Sequence, residues 1–449
     1  MIYNERGKEV RENGLLLRPY GVIRREQAII CNYYVFGIGT LVVKETSMLA
    51  FEENPQQVEQ ADWVVGIPSH NNAGSISHPT VQAAQGLLDH FGDKNSVVIN
   101  CDNHSEDGTK EAFLEAPGEV PKIYLSTPPG VVGRGYNLRN LIVKAVELQA
   151  QAVIVLDADI ESITPQWIKN LGEPISAGFG FVAPLYVRHK YDGAVANGIV
   201  YPLTRALYGR RVRQPIGGDF AFAVNLAETY LNHPSWNDMV GQYGVDIWMT
   251  TLAICQGIPI CQSFVGKPKI HQNDKNIMPL GPVFSQVVGT LLNLMIHFQD
   301  FWERVKWSKP TAIYGFGMGE VETPTSLDIA DDELHQVFIQ GFAQYKQLWE
   351  SFLENNIYNK LGEIRELPLA HFSFPSEIWA RILYSCSAAY KNEVVERESL
   401  LQSLVPLFVG KTLSYVRKTE RMSIQQAEEY IENECMIFEE AKPYLLSKW

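Results

Sequence analysis

A chain of 449 residues, 46% hydrophobic and 20% charged, has apolar material for roughly two or three domains and is not a disordered one. Its formal net charge of -13 argues against a nucleic-acid or anionic-membrane surface, but is no obstacle to a small anionic substrate met by a local basic cluster. The six cysteines are scattered without a Cys-x-x-Cys pair, so buried free thiols in a reducing compartment are expected rather than disulfides or a zinc site.

The chain opens on Met1-Ile2-Tyr3-Asn4-Glu5-Arg6, which lacks the basic-then-apolar order of a secretory signal. The apolar run from Tyr33 to Val43 is too short to span a membrane, so a soluble cytoplasmic protein is expected. Residues 1–60 read as an N-terminal extension, with strand-like runs at Ile29–Cys31 and Tyr34–Val43 and no evident chemistry.

From Asp62 strand and helix signals alternate, as in a parallel sheet with crossover helices. Trp63–Pro68 is the first strand. The polar turn Ser69–Gly74 leaving it can hold a nucleotide base or ribose, and equally reads as a helix N-cap group. A helix follows over Thr80–Phe91. Ser96–Asp102 is a strand ending in an acid, and Ser105 or Asp107 caps the helix after it. Lys122–Leu125 then leads to Gly133-Arg134-Gly135, a flexible loop able to bring a guanidinium to a diphosphate, and to a helix over Leu138–Leu148. The strand Val153–Leu156 is a branched apolar run that delivers Asp157-Ala158-Asp159 to its C-terminal end, the edge where open α/β sheets bind ligands. Asp-x-Asp offers hard oxygens to Mg²⁺ or Mn²⁺ held jointly with substrate phosphates; the alternative is a solvated acidic turn.

The order Gly66-Ile67-Pro68-Ser69, Asp102 with Asp107-Gly108-Thr109, Gly133-Arg134-Gly135 and Asp157-Ala158-Asp159 resembles a GT-A glycosyltransferase of the family-2 type over residues 62–275. Beyond the acids come Thr204-Arg205 with Arg210, Arg211 and Arg213, a basic cluster that implies a specific anion or else a solvated basic turn. Gly217-Gly218-Asp219 follows, where the glycines permit close backbone approach to a ligand. Asp246 lies in the first turn of a helix, as a dipole partner or as the acid that faces an acceptor hydroxyl in the family-2 pattern. Lys269-x-His271 ends a strand in a histidine that is either structural or, by the resemblance, a metal ligand. Together these segments look most like the glucosyl-3-phosphoglycerate, mannosylglycerate and glucosylglycerate synthase group. Two positions depart from the pattern: Arg134 stands where a lysine is usual, and Ser69–Asn72 carries no acid.

The resemblance implies an α/β fold, with a GT-A (Rossmann-like nucleotide-diphospho-sugar transferase) domain over 61–280 and a C-terminal all-helical domain over 281–449. It implies transfer of a hexose from a nucleoside-diphosphate sugar of the UDP-glucose or GDP-mannose type to a small hydroxy acid such as glycerate or 3-phosphoglycerate, with retention. By the same resemblance Pro68, Ser69, Asn71, Asp102, Arg134, Asp157, Ala158, Gly217 and Gly218 bind the nucleotide sugar. Asp159 and His271 hold Mg²⁺ or Mn²⁺, Arg188, Thr204, Arg205 and Asp219 meet the anionic acceptor, and Asp246 with Asp159 is catalytic. An inverting enzyme with a saccharide acceptor and Asp246 as general base stays open, as does a nucleotide-sugar-binding protein without turnover.

After Asp274 the alternation stops. Helices are expected over Val283–Phe301, Asp332–Asn355, Pro375–Tyr390, Glu393–Val405 and Ser423–Tyr444, the fourth stopped by Pro406 and the last opened by a Ser423-x-x-Gln426 capping box. Gln286, Asn293 and His297 make the first too polar to span a membrane. These helices either close over the acceptor or form a homodimer contact.

Overall fold

The computed structural model describes residues 48–271, 281–315 and 330–449, so the strand-like runs before residue 48 lie outside the described residues. Among the described residues there are eleven strands, the central ones β-branched and apolar runs and three of the edge pieces polar: β1 Phe51–Glu53, β2 Trp63–Ser69, β3 Ser96–Asp102, β4 Lys122–Ser126, β5 Ala152–Val155, β6 Phe181–Val187, β7 Arg210–Arg211, β8 Phe220–Ala223, β9 Ile260–Pro268, β10 Lys309–Pro310 and β11 Ala312–Tyr314. Nine of them make one sheet in the order β1-β4-β3-β2-β5-β8-β6-β9-β11, and β7 pairs with β10 separately.

Parallel β4, β3, β2 and β5 form one half of the sheet, with β2 between β3 and β5. The chain order reverses at β2, which leaves a crevice beyond the C-terminal ends of β2 and β5, where ligands bind in such sheets. The other half begins with β8, which runs antiparallel to β5 with Val155 opposite Phe220. That register sets the loop before β8, Gly217–Asp219, directly beyond the end of β5. Parallel β6 and β9 complete the wall, and β9 runs out through Pro268 toward Lys269 and His271. An isolated bridge between Ile160 and His271, with Glu161 N–H donating to Ile270 O at 2.9 Å, ties this segment to the one after β5.

The apolar face of the sheet packs on Ser77–Phe91 and Pro165–Ser176, burying Trp63, Val65, Ile67, Leu87, Trp167 and Ile168 in one core. The five described cysteines are free thiols, four of them buried. Among the described residues no helix is long and apolar enough to cross a membrane.

The C-terminal helices differ from the expectation at three places. The chain breaks at Phe298, giving Pro282–His297 and Gln299–Trp302 instead of one helix. Asn355–Arg365 is a separate, unexpected helix. The helix expected to end before Pro406 instead runs Arg397–Thr419 straight through it. A proline removes one N–H from the ladder and crowds the preceding turn. Here its ring sits in the notch left by Gly341 on the helix Asp331–Phe352, where any Cβ would lie 2.1 Å from it, so tertiary packing outweighs the local cost. The last helix, Ile424–Lys448, opens with the expected Ser423/Gln426 capping box.

Candidate functional site

A cavity of about 510 Å³ opens at the C-terminal ends of β2 and β5. Pro68 and Ser69 end β2, Asp157, Ala158 and Asp159 follow β5, Gly217 and Gly218 precede β8, and His271 follows β9; all line it, together with Arg134, Arg188 and Asp246. Eleven of the expected site residues therefore converge on one cavity although they are spread over two hundred positions of sequence.

The centre of the cavity is a charge cluster around Asp157. Arg134 donates from Nη1 to Asp157 Oδ1 at 2.6 Å, from Nε to Asp246 Oδ1 at 3.1 Å and from Nη2 to the carbonyl of Gly218. On the opposite side Lys269 Nζ donates to Asp157 Oδ2 at 2.6 Å and to Gly217 O at 2.9 Å, and lies 3.0 Å from Asp219 Oδ2. Burial pushes the Asp157 carboxyl up, but Arg134 and Lys269 overcome it and hold the group well below the usual carboxylate range. Burial likewise opposes charge on Lys269, and Asp157 and Asp219 outweigh it, holding the ammonium above its ordinary value. Asp246 behaves differently: burial raises its carboxyl above the ordinary value, and Arg134 offsets this only in part.

Arg134 is delivered by a packed element, not by the flexible loop expected from its flanking glycines. It is the first residue of the helix Arg134–Glu147, and Gly135 packs so closely on the backbone of the short helix Asp238–Gly241 that a Cβ would lie 1.9 Å from Val240 O. Gly218 is required for a second reason. Its φ is +82°, and a Cβ there would lie 2.3 Å from Asp157 Oδ2, so a side chain would both strain the backbone and break into the cluster.

Beside this cluster His271 Nδ1 lies 2.9 Å from Asp159 Oδ1. Among the described residues no group of three or more His, Cys, Asp or Glu surrounds a common point. Asp159 supplies the one carboxylate with which a hard divalent ion can be held when phosphate oxygens and water fill its shell, and His271 adds a nitrogen that suits Mn²⁺ better than Mg²⁺.

Five expected site residues lie outside the cavity. Asp102 is buried beneath it, accepting from Ser69 Oγ at 2.6 Å, Ser105 N at 2.6 Å and Tyr124 OH at 2.9 Å; it braces the ends of β2 and β3 and has no oxygen to offer a ligand. Asn71, at φ +56°, sits on the outer turn with its N–H donated to Ser105 Oγ. Asp219 is fully buried behind Asp157, accepting from the Asp157 N–H at 2.8 Å and from the Tyr186 hydroxyl, so it positions the cluster and does not face an acceptor.

Thr204 and Arg205 are also fully buried. Arg205 donates to Glu439 at 2.9 Å and Glu432 at 2.5 Å on the last helix, and Arg213 forms a bidentate pair with Glu428 at 2.7 and 2.8 Å. Arg205 and Arg213 are thus spent on an acidic face of Ile424–Lys448 and form no acceptor pocket, Arg211 bonds Ser308 Oγ, and only Arg210 is exposed. Lys269 is the member of the central cluster that the sequence reading quoted without giving it a role. Its spacing of two from His271 in an extended segment sets both on one side and was the available signal. His70, Asn103, Asn137 and Tyr243 also line the cavity, and no pattern in the sequence singles out Tyr243.

No family model matches the sequence. Over 192 residues the chain is 23% identical to a mannosylglycerate synthase of Rhodothermus marinus, a stretch covering 39% of this chain and 47% of that protein. The chain therefore spans about half the length of the curated relative it matches. Among solved structures it is similar to glucosyl-3-phosphoglycerate synthase from Mycobacterium tuberculosis in complex with Mn²⁺, UDP-glucose and phosphoglyceric acid, at 19% identity and a TM-score of 0.39, over 53% of this chain and 79% of that one. The same enzyme in complex with Mg²⁺ and uridine diphosphate gives 20% identity and a TM-score of 0.41 over the same shares. The relative matched in sequence is of the synthase group that the motifs resemble.

Proposed function

We propose that this chain is a metal-dependent glycosyltransferase that moves a hexose from a nucleoside-diphosphate sugar to a small hydroxy acid such as glycerate or 3-phosphoglycerate, with retention. The catalytic part would be centred on residues 61–280; β1 and β11 extend its sheet from either side, so the part after 281 is not all-helical as expected but carries β10 and β11 ahead of the helices from Asp331 on. The observation that carries the reading is the charge balance of the cavity. Arg134, Arg188 and Lys269 are matched by Asp157, Asp159 and Asp246 on its lining, with Asp219 in excess behind them. A site without surplus positive charge holds a diphosphate only if a cation enters with it, and Asp159 and His271 are the donors left to hold that cation. A divalent ion there would supply Lewis-acid stabilisation of the departing diphosphate.

The chain's own residues do the rest. Arg134 has three of its five N–H groups engaged among the described residues, so it can turn a remaining donor to the leaving phosphate while Asp157 and Asp246 keep it in place. Lys269 keeps Asp157 ionised, and Asp157 in turn fixes the guanidinium. Pro68, Ser69, Ala158, Gly217 and Gly218 form the walls for base, ribose and sugar. With Arg205 spent elsewhere, the acceptor's carboxylate or phosphate falls to Arg188, which lines the cavity with its guanidinium 4.8 Å over the Tyr186 ring and whose Nε has only a long ion pair, 3.7 Å to Asp192, and no hydrogen bond among the described residues. Asp246 orients the acceptor or sugar hydroxyls.

A second reading has one observation in its favour. A buried carboxyl with a raised pKa facing the cavity is what a general base needs, and an inverting enzyme would use Asp246 so. The experiment that tests both is incubation of the protein with UDP- and GDP-hexoses, Mn²⁺, and glycerate or 3-phosphoglycerate, with mass spectrometry and NMR of the product. A glycosylated hydroxy acid of unchanged anomeric configuration supports the first reading and an inverted one the second. No hexose transfer from any donor refutes both.

A further inference from the structure

The pair β7–β10 is built with two opposed cations. In its parallel register Lys309 is the direct partner of Arg210, so like charges sit side by side on neighbouring strands, an arrangement that destabilises a sheet unless an anion lies over it. The inward residues of the same corner are satisfied: Arg211 Nε donates to Ser308 Oγ at 3.0 Å, and Ser308 Oγ to Glu439 at 2.7 Å. The outward residues are not. The side chains of Arg210, Lys309 and, on the preceding turn, Arg304 and Lys306 are exposed and make no ion pair or hydrogen bond among the described residues. Between the lysines stands Trp307, 64% exposed, with Ile313 at 45% on β11 just beyond. From Arg304 to Gly315 the chain carries three cations and no acid, in a protein with 13 more acids than bases.

We infer that this corner, Arg210, Arg304, Lys306, Trp307 and Lys309, docks on an anionic lipid surface. A cluster of unpaired cations around an indole matches the headgroup region of such a surface, where basic side chains meet lipid phosphates and an amphipathic ring sits at the boundary. The cations lie on a two-residue ladder and the turn before it. The overall acidity of the chain does not cancel the attraction, because charges farther than about 8 Å away are screened at physiological salt. Orientation is compatible with the site: β11 pairs with the N-terminal part of β9, whereas the cavity opens at C-terminal strand ends, so docking leaves its mouth free. The inference stands independently of the proposed function.

The test is co-sedimentation of the full chain with vesicles of phosphatidylglycerol in phosphatidylcholine, against phosphatidylcholine alone, across a salt series. The expected result is salt-sensitive binding to the anionic vesicles only. Lys306→Gln with Lys309→Gln should bind about thirtyfold more weakly at unchanged circular dichroism, and Trp307→Ala should lose the salt-resistant part. Failure of the wild-type chain to pellet with anionic vesicles, equal pelleting with neutral ones, or unchanged binding of the double variant overturns the inference. So does capture by an acidic polymer such as heparin without any binding to vesicles.

Discussion

Replacing Lys269 by Met tests whether its ammonium is what allows two carboxylates to lie together under the cavity. The side chain is 3% exposed and holds Asp157, at 2.6 Å, and the fully buried Asp219, at 3.0 Å. Removing one partner of a buried ion pair costs about 3–5 kcal/mol, because the charge left behind is uncompensated. Spread over the unfolding entropy of a 449-residue chain, about 2 cal/mol/K per residue, this is a fall in apparent Tm of roughly 3–5 °C. The loss carries a pH signature. Burial already raises the Asp219 carboxyl, and Lys269 opposes that rise for Asp219 and Asp157 alike. Without the lysine both folded-state values move up, so at intermediate pH the folded variant binds more protons than the unfolded chain and gains stability as pH falls. The deficit against wild type should be full at about pH 8 and clearly smaller at about pH 5, read from thermal unfolding by circular dichroism. Equal Tm losses at both pH values, or none, would show that Lys269 does not neutralise this pair.

Arg134→Gln should lower kcat by about 10²–10³-fold, as loss of a charge-stabilising donor does. Because Arg134 also lowers Asp157 and Asp246, the acid limb of the kcat/KM profile should move to higher pH; a limb that stays in place refutes the coupling. Asp159→Asn should abolish Mn²⁺-dependent binding of sugar nucleotide in calorimetry with an unchanged melting curve, and retained metal-dependent binding would remove its role. Gly218→Ala should cost about 1–3 kcal/mol from its left-handed backbone alone, and should weaken donor binding further by displacing Asp157; native-like affinity would sink that placement.

Much of the sheet was readable because strands covered on both faces are written as continuous branched runs, with Ser69 ending β2, Asp102 ending β3 and Asp157 two positions past β5, of which Ser69 and Asp157 line the cavity. The antiparallel insertion of β8 was not readable. Phe220–Ala223 is four residues long, and the Gly217-Gly218-Asp219 turn before it marks a change of direction without saying which strand it will pair with, yet this strand alone carries Gly218 and Asp219 to the end of β5. The passage of a helix through Pro406 was hidden for a related reason: a proline's local cost is visible in the sequence, whereas the notch at Gly341 that accommodates it lies 65 positions earlier.

The arginines show where reading a site from sequence stops. Arg134 and Arg205 look alike as candidates, each in a polar or basic stretch of an acidic chain. Each has Nε, Nη1 and Nη2 engaged, so what separates them is where the partner acids lie. Glu428, Glu432 and Glu439 lie on one face of a helix more than two hundred residues downstream of Arg205, and that face consumes the donors of Arg205 and Arg213. Arg134 is also ion-paired, but its partners Asp157 and Asp246 line the cavity themselves, so an anion that enters meets the guanidinium and both of its counter-charges at once. A buried pair whose acids face away from any opening holds two elements together; one whose acids share the opening can exchange partners with a ligand. The difference resides in the direction of the acids, which spacing along the chain does not encode.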